Sequence, residues 1–301
     1  DEQAVLRALE SGTVGAARVD AGLGPGDPPI GQGVVRPLAG RLTTLVLNTR
    51  SAPLDDPSVR RAIALAVDRS AVAHASLGAG AEAADGPICP TSWAYSPGVP
   101  RPKADPAAAT ATLAGAGWIG GSAPRQKDGR ALEIAITASS AEHIRAASAL
   151  APQLARAGIA ARVRQVSSTE YVERALARRE FQAIVVTQAT STADPSLFGL
   201  YHSSRIEAGL NIGGWASPRA DRALDVARRD QSTEGRARAY AELEAIFAEE
   251  CPAVPLYRPL LRYVVRSGVL GIELPHLTVP SDRLAGAERW HAASRRAPIV
   301  T

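Results

Sequence analysis

Methionine is absent from this 301-residue sequence, the initiator included, so a mature or truncated chain is expected. Aromatic residues are scarce at 4%, and the 34 basic residues are spread along the chain against 30 acidic ones. Nucleic-acid binding calls for a concentrated basic stripe with interleaved aromatics, so that function class is excluded. The densest basic stretch, Arg174 with Arg178 and Arg179, reads as a solvated helix face. No apolar run approaches the roughly 18 residues of a membrane span, and no signal peptide is visible. The two cysteines, Cys89 and Cys251, form no CxxC and have no histidine at zinc-ligand spacing. They read as two buried thiols, with a disulfide open if the protein is exported. GxSxG, HExxH and a credible SxxK are missing, and no two of the five histidines stand four apart. No catalytic residue, metal ligand or cofactor is therefore expected, and an enzyme, a hydrolase included, is the weaker reading.

What is present is a globular composition. Hydrophobic residues make up 46% and charged residues 21%, enough for a sizeable core in a chain long enough for about two domains. A short helix and a strand (14–19) open the chain, and a Gly/Pro-rich loop follows over 22–33. Leu42–Thr49 reads as a strand. Pro57 opens a helix over 58–67 with Asp55 or Asp56 as cap, and Asp68 caps a second over 71–77. Asp105-Pro106 starts another, stopped at Gly115-Ala116-Gly117. Strand 132–137, helix 142–157 closed by Gly158, strand 159–166, helix 171–179 and strand 181–187 follow in alternation, the pattern of an α/β layer with parallel neighbours. Helices over 218–229 and 234–251 and strands over 254–257 and 261–269 complete the pattern; no internal repeat is visible. Arg60-Arg61 and Asp68-Arg69 read as helix capping and internal ion pairing.

Several segments in one order resemble the family 5 extracytoplasmic solute-binding proteins of ABC importers, the oligopeptide, dipeptide and nickel binders. The strongest is Leu45-Val46-Leu47-Asn48-Thr49 followed by Pro57 to Arg69. Gly86-Pro87-Ile88, Trp93-Ala94-Tyr95, Asp105-Pro106, Ala116-Gly117-Trp118, Asp128-Gly129, Asp194-Pro195, Asn211 to Trp215, and Cys251 to Tyr257 follow in family order. The resemblance covers 42–272, with Ala4 to Arg18 similar to the segment just upstream. It implies a periplasmic-binding-protein-like type II α/β fold, in which this chain starts near the middle. It implies a complete second lobe over 44–257, a partial first-lobe segment and crossing over 1–43, and a return segment over 258–301. It also implies extracytoplasmic capture of a peptide or other small polar solute, handed as a monomer to an ABC permease, by a periplasmic protein or cell-surface lipoprotein. The alternative is a ligand-sensing domain of a larger regulator or receptor, since folds of this class are reused that way.

Loops at the C-terminal ends of parallel strands collect ligand-binding groups. The loop from Gln188 to Pro195 is the first candidate, through Gln188, Ser191 and Asp194. In the peptide-binding relatives the positions of Gln188 and Ser191 hold a Trp and an Asp that pairs with the ligand's amino terminus. A buried ammonium without its carboxylate is costly, so an α-amine-anchored peptide is disfavoured. Asp194 either takes part or caps the next turn. Asn211, Gly213 and Trp215 are the second candidate, as a backbone approach and a stacking ring or as a tight turn with core cover. Trp93 either faces the cleft or seals its long loop. Arg258 and Ile272, near the second crossing, complete the set.

Overall fold

The computed structural model describes residues 2–19, 32–37, 41–189, 194–266, 268–273, 281 and 284–292. In chain order the elements are α1 (Glu2–Ser11), β1 (Ala16–Val19), β2 (Gln32–Pro37), β3 (Arg41–Leu47), α2 (Pro57–Ala66), α3 (Arg69–Leu77), β4 (Ala81–Ala83), α4 (Pro106–Gly115), β5 (Gln126–Lys127) and β6 (Arg130–Ala131). Then come β7 (Glu133–Ala138), α5 (Ala141–Arg156), β8 (Ala160–Gln165), α6 (Ser168–Glu170), β9 (Ala183–Ala189), α7 (Phe198–Tyr201), α8 (Pro218–Arg229), α9 (Thr233–Glu250), β10 (Ala253–Val265), β11 (Val269–Leu270) and β12 (His291–Ala292).

The main sheet runs β1-β10-β3-β9-β7-β8, with β2 and β4 also paired to β10. Strand β7 lies parallel to β8 and β9, as the alternation of strands and helices predicts. Strand β3 is antiparallel to both β9 and β10. Six of its seven residues are buried, because helices cover both faces of the sheet. On one face α2, α3, α4 and α5 pack Ile63, Val72, Leu113 and Leu150 against Leu45, Ile136, Val185 and Leu256. On the other, α8 and α9 pack Leu224, Leu243 and Phe247 against Val46, Ile184 and Val186.

Caps fall where short polar residues precede the helices. Asp56 accepts from the Ser58 N–H at 2.8 Å, Asp68 from Ala71 at 3.0 Å and Asp105 from Ala108 at 2.9 Å. Gly158 closes α5 at φ +94°, a conformation that favours glycine. Among the described residues Arg60 and Arg69 make no ion pair, where ion pairing was expected. Arg60 donates to the carbonyls of Glu250, Leu54 and Asp55, and Arg69 to those of Pro255 and Pro102. Each guanidinium stitches separate chain segments together through their carbonyls.

Three further expectations change. The two strands read over 254–257 and 261–269 are one strand, β10, followed by the separate β11. Pro259 does not break β10 because it stands where partners change: 253–259 pair with β3 and β4, and 260–265 with β2 and β1. The helix expected over 171–179 is a π-helical turn, Tyr171–Ala177. Arg179, at φ +60°, donates to the Leu176 and Gly209 carbonyls instead of lining a solvated face. Gly33, read as loop, lies in β2, and residues 22–31 of that loop lie outside the described residues. Cys89 and Cys251 are both free and buried.

Candidate functional site

Parallel strands β7 and β9 end at Ala138 and Ala189, beside the first turn of α5, whose cap is Ser140. The positive end of the helix dipole favours a carboxylate there, and Glu142 supplies it. Its Oε1 accepts from the Tyr257 hydroxyl at 2.9 Å. The Thr43 and Thr187 hydroxyls lie 2.9 Å apart across the β3–β9 pair, and His143 Nε2 lies 3.0 Å from Thr187 Oγ1. Burial pushes the His143 pKa down and nearby Arg41 adds to this, outweighing the opposing charge of Glu142. The imidazole is therefore neutral at pH 7 and offers one donor and one acceptor. Burial, and then Glu142, push the Tyr257 hydroxyl up, so it stays a donor. Thr43, Glu142, His143, Thr187 and Tyr257 form a polar cluster that the sequence did not single out. The signal available was the position of Glu142-His143 just after a strand and at a helix start.

The residues expected to bind ligand fall in several places. Gln188, 8% exposed, is on the opposite face of β9, where the Tyr201 hydroxyl approaches its Oε1 at 3.4 Å. Gln188, Asn211, Gly213 and Trp215 line one internal cavity of about 10 Å³, room for at most a single water. Asn211 is fully engaged by the chain itself. Its amide donates to the carbonyls of Tyr201, His202 and Trp215, and its Oδ1 accepts from the Trp215 N–H at 3.1 Å. Trp215 is 3% exposed, packs edge-on against Tyr201 and Phe247, and donates its indole N–H to Glu250 at 2.7 Å. A Cβ on Gly213 would stand 2.8 Å from the Leu47 carbonyl oxygen, so the glycine serves a backbone-to-backbone approach. This segment is a frame for the α8–α9 layer. Asn211→Leu is expected to cost about 2–4 kcal/mol, because three carbonyls, two of them in buried hydrogen bonds, lose a donor; urea unfolding checks it, and a loss below about 1 kcal/mol contradicts the clamp.

Asp194 sits in a network of its own. Burial opposes its ionisation, but Arg236, the Tyr240 hydroxyl and the Ser196 N–H outweigh this and hold its carboxyl below the ordinary range. Burial and Asp194 push the Tyr240 hydroxyl up to about 12. Trp93, 36% exposed, packs its edge on Tyr240 and its face under Arg236, sealing the long 78–102 segment onto α9. Arg258, 3% exposed, donates to the Gly86 carbonyl, while its Nε and Nη1 have no partner. Ile272 packs with Tyr263, Val265 and Trp290 in a small separate cluster. Ser191 lies outside the described residues. Among the described residues no group of acidic, histidine or cysteine side chains could hold a metal ion.

The family model described as "Bacterial extracellular solute-binding proteins, family 5 Middle" matches residues 1–207. The chain is 28% identical over 232 residues to a probable di/tripeptide-binding protein 5 of Pseudomonas aeruginosa, covering 76% of this chain and 43% of that relative. In structure it is similar to the oligopeptide-binding protein AppA of Bacillus subtilis in complex with a nonapeptide, at TM-score 0.76 and 23% identity, over 98% of this chain and 59% of that one. It is also similar to NikZ of Campylobacter jejuni in complex with Ni(L-His), at TM-score 0.74 and 23% identity, over 96% and 60%. The chain spans under half the length of the curated relatives it matches. The fold is the α/β, type II periplasmic-binding-protein-like fold that the sequence motifs imply.

Proposed function

The chain belongs to family 5 of the bacterial extracellular solute-binding proteins, and from that we propose that it forms one wall of a cleft that captures a solute for import by an ABC transporter. The carrying observation is the family match, joined by likeness to peptide- and nickel-complex-binding proteins. The protein works outside the cytoplasm as a monomer, periplasmic or anchored to the cell surface, and hands its solute to a membrane permease without covalent chemistry. Among the described residues no helix is long and apolar enough to cross a membrane.

Lobe closure needs a wall, a hinge and a few placed polar groups. The partner change along β10 supports a hinge near Arg258, with residues 44–257 as one lobe and 1–43 and 258–301 belonging to the other. The cluster of Thr43, Glu142, His143 and Thr187 supplies polar groups at the strand ends on one face of the sheet; Gln188 and Asp194, on the other face, and Ser191 are the further ligand-binding candidates of the loop that follows β9. Asn211, Gly213 and Trp215 support this wall from within, as does Trp93 from the side.

The Ser191 position bears on the cargo. With a hydroxyl where peptide binders carry a carboxylate, the solute is not anchored through a free α-amine. Ser191→Asp is expected to tighten binding of a free-amine peptide at least tenfold over its N-acetylated form, the order of one charge-assisted bond. Equal affinities before and after the change contradict this. The proposed function itself is tested by thermal shift of the full-length protein against peptides, sugars, amino acids and Ni²⁺. A true solute at a hundredfold excess over Kd adds about 2.7 kcal/mol and raises Tm; no shift with any class counts against solute capture.

A further inference from the structure

Phe198 lies on the outer side of the α8–α9 layer. The guanidinium carbons of Arg228 and Arg205 stand 4.8 and 5.3 Å from its ring centre, and His202 stacks on it at 4.2 Å. Stacking uses the flat face of a guanidinium and leaves its in-plane N–H donors available. Asp194 and Asp230 line the same groove, and each nearby acid has a partner of its own. Asp194 is held by Arg236 and Tyr240, Asp225 by Arg229, Asp221 by Ser203, and Asp230 by Ser232. Neither Arg205 nor Arg228 has a carboxylate partner among the described residues, and residues 190–193 carry no acidic side chain that could supply one.

Both arginines open onto a groove of about 560 Å³. Its edge carries Leu210, a leucine left 63% exposed, and its floor includes Leu224 and Ala227. Two oriented cations beside exposed apolar surface fit a chain that alternates carboxylate and aliphatic groups better than a small inorganic anion, which would leave the apolar part unused.

We propose that this groove docks an acidic, leucine-like segment of a partner protein, with Arg205 and Arg228 receiving its carboxylates and Leu210 its apolar side chain. The groove is separate from the Glu142–His143 cluster, which lies on the opposite face of the sheet. Its lining includes Asp194, Arg236 and Tyr240, so an occupant would rest against the network that holds Asp194.

The test uses the full-length protein and a labelled, acetylated and amidated peptide of alternating Glu and Leu, read by fluorescence anisotropy at low and physiological salt. Its Lys/Leu counterpart, inorganic phosphate and phosphatidylglycerol vesicles are the other arms. The Glu/Leu peptide is expected to bind and the Lys/Leu peptide not to. Arg205→Gln with Arg228→Gln weakens binding at least about tenfold, the order expected for two charge-assisted contacts. Phe198→Leu, which keeps both charges but frees them, weakens it about threefold. His143→Ala leaves it unchanged. Absence of Glu/Leu binding overturns the proposal. So does binding lost in His143→Ala but kept in the arginine pair, which would place the peptide in the solute cleft. Arginine-dependent binding of phosphate or vesicles without the peptide also overturns it, since the occupant would then not be a protein.

Discussion

Arg101→Met is expected to destabilise the folded chain by about 3–5 kcal/mol at neutral pH, the cost of leaving a buried charge alone. Glu244 on α9 is 2% exposed, and its Oε2 accepts from Arg101 Nη2 at 2.9 Å while Oε1 has no hydrogen-bond partner. Arg101 also ties the Val99 and Ser96 carbonyls and lies over the Tyr95 ring at 4.4 Å. One side chain thus fastens the 78–102 segment to the helix layer. Even with Arg101 present, burial pushes the Glu244 carboxyl above its ordinary range. A carboxyl whose folded pKa is raised binds its proton more tightly folded than unfolded. Its contribution improves as pH falls through the raised folded value towards the unfolded one. Removing the arginine enlarges that shift, so the gap between variant and parent narrows on acidification. Urea unfolding at pH 7 and near pH 4.5 measures both gaps. Adding Glu244→Gln to the variant recovers part of the loss at pH 7. A gap under about 1 kcal/mol, or one independent of pH, contradicts the buried-pair account.

The second large effect concerns the strand-end cluster. His143→Ala with Thr187→Val is expected to weaken solute binding at least tenfold, the loss of about 1.4 kcal/mol or more of hydrogen bonding to the cargo. Because His143 is kept neutral by burial, it contributes a directional donor or acceptor rather than a charge, and His143→Gln should retain part of the affinity. The fold should lose only about 1–2 kcal/mol, since the change removes the His143–Thr187 contact and one partner of the buried Thr43 hydroxyl, which keeps Glu142 Oε1 at 3.5 Å. The opposite pattern, a large fall in Tm with solute affinity intact, assigns the cluster to packing and contradicts the cleft wall.

The secondary-structure rhythm was legible because it rests on local chemistry. Asp56, Asp68 and Asp105 cap the helices they precede, Pro57 stands in a first turn, and Gly158 supplies the left-handed stop. The parallel core β9-β7-β8 follows from strands and helices of the right lengths in alternation. What local pattern could not give was partnership. Pro259 looks like a strand breaker until β10 is seen changing neighbours around it. Asn211 and Trp215 have the residue types of a binding turn, and only their tertiary partners, the Tyr201 and His202 carbonyls and Glu250, reveal a clamp. The strand-end cluster joins Thr43, Glu142, Thr187 and Tyr257, separated by tens of residues and brought together by strand register and the first turn of α5. Gln188 and Thr187 are neighbours in sequence, yet the period of two sends them to opposite faces of the sheet.

Solute capture is tested most directly by calorimetric titration of the full-length protein, unfolded, dialysed and refolded to strip endogenous cargo, against the solute classes above. Saturable one-to-one binding of one class, weakened in His143→Ala with Thr187→Val and unchanged in Arg205→Gln with Arg228→Gln, is the result predicted. A refolded protein that binds none of them, or binds equally well with the strand-end cluster removed, contradicts it.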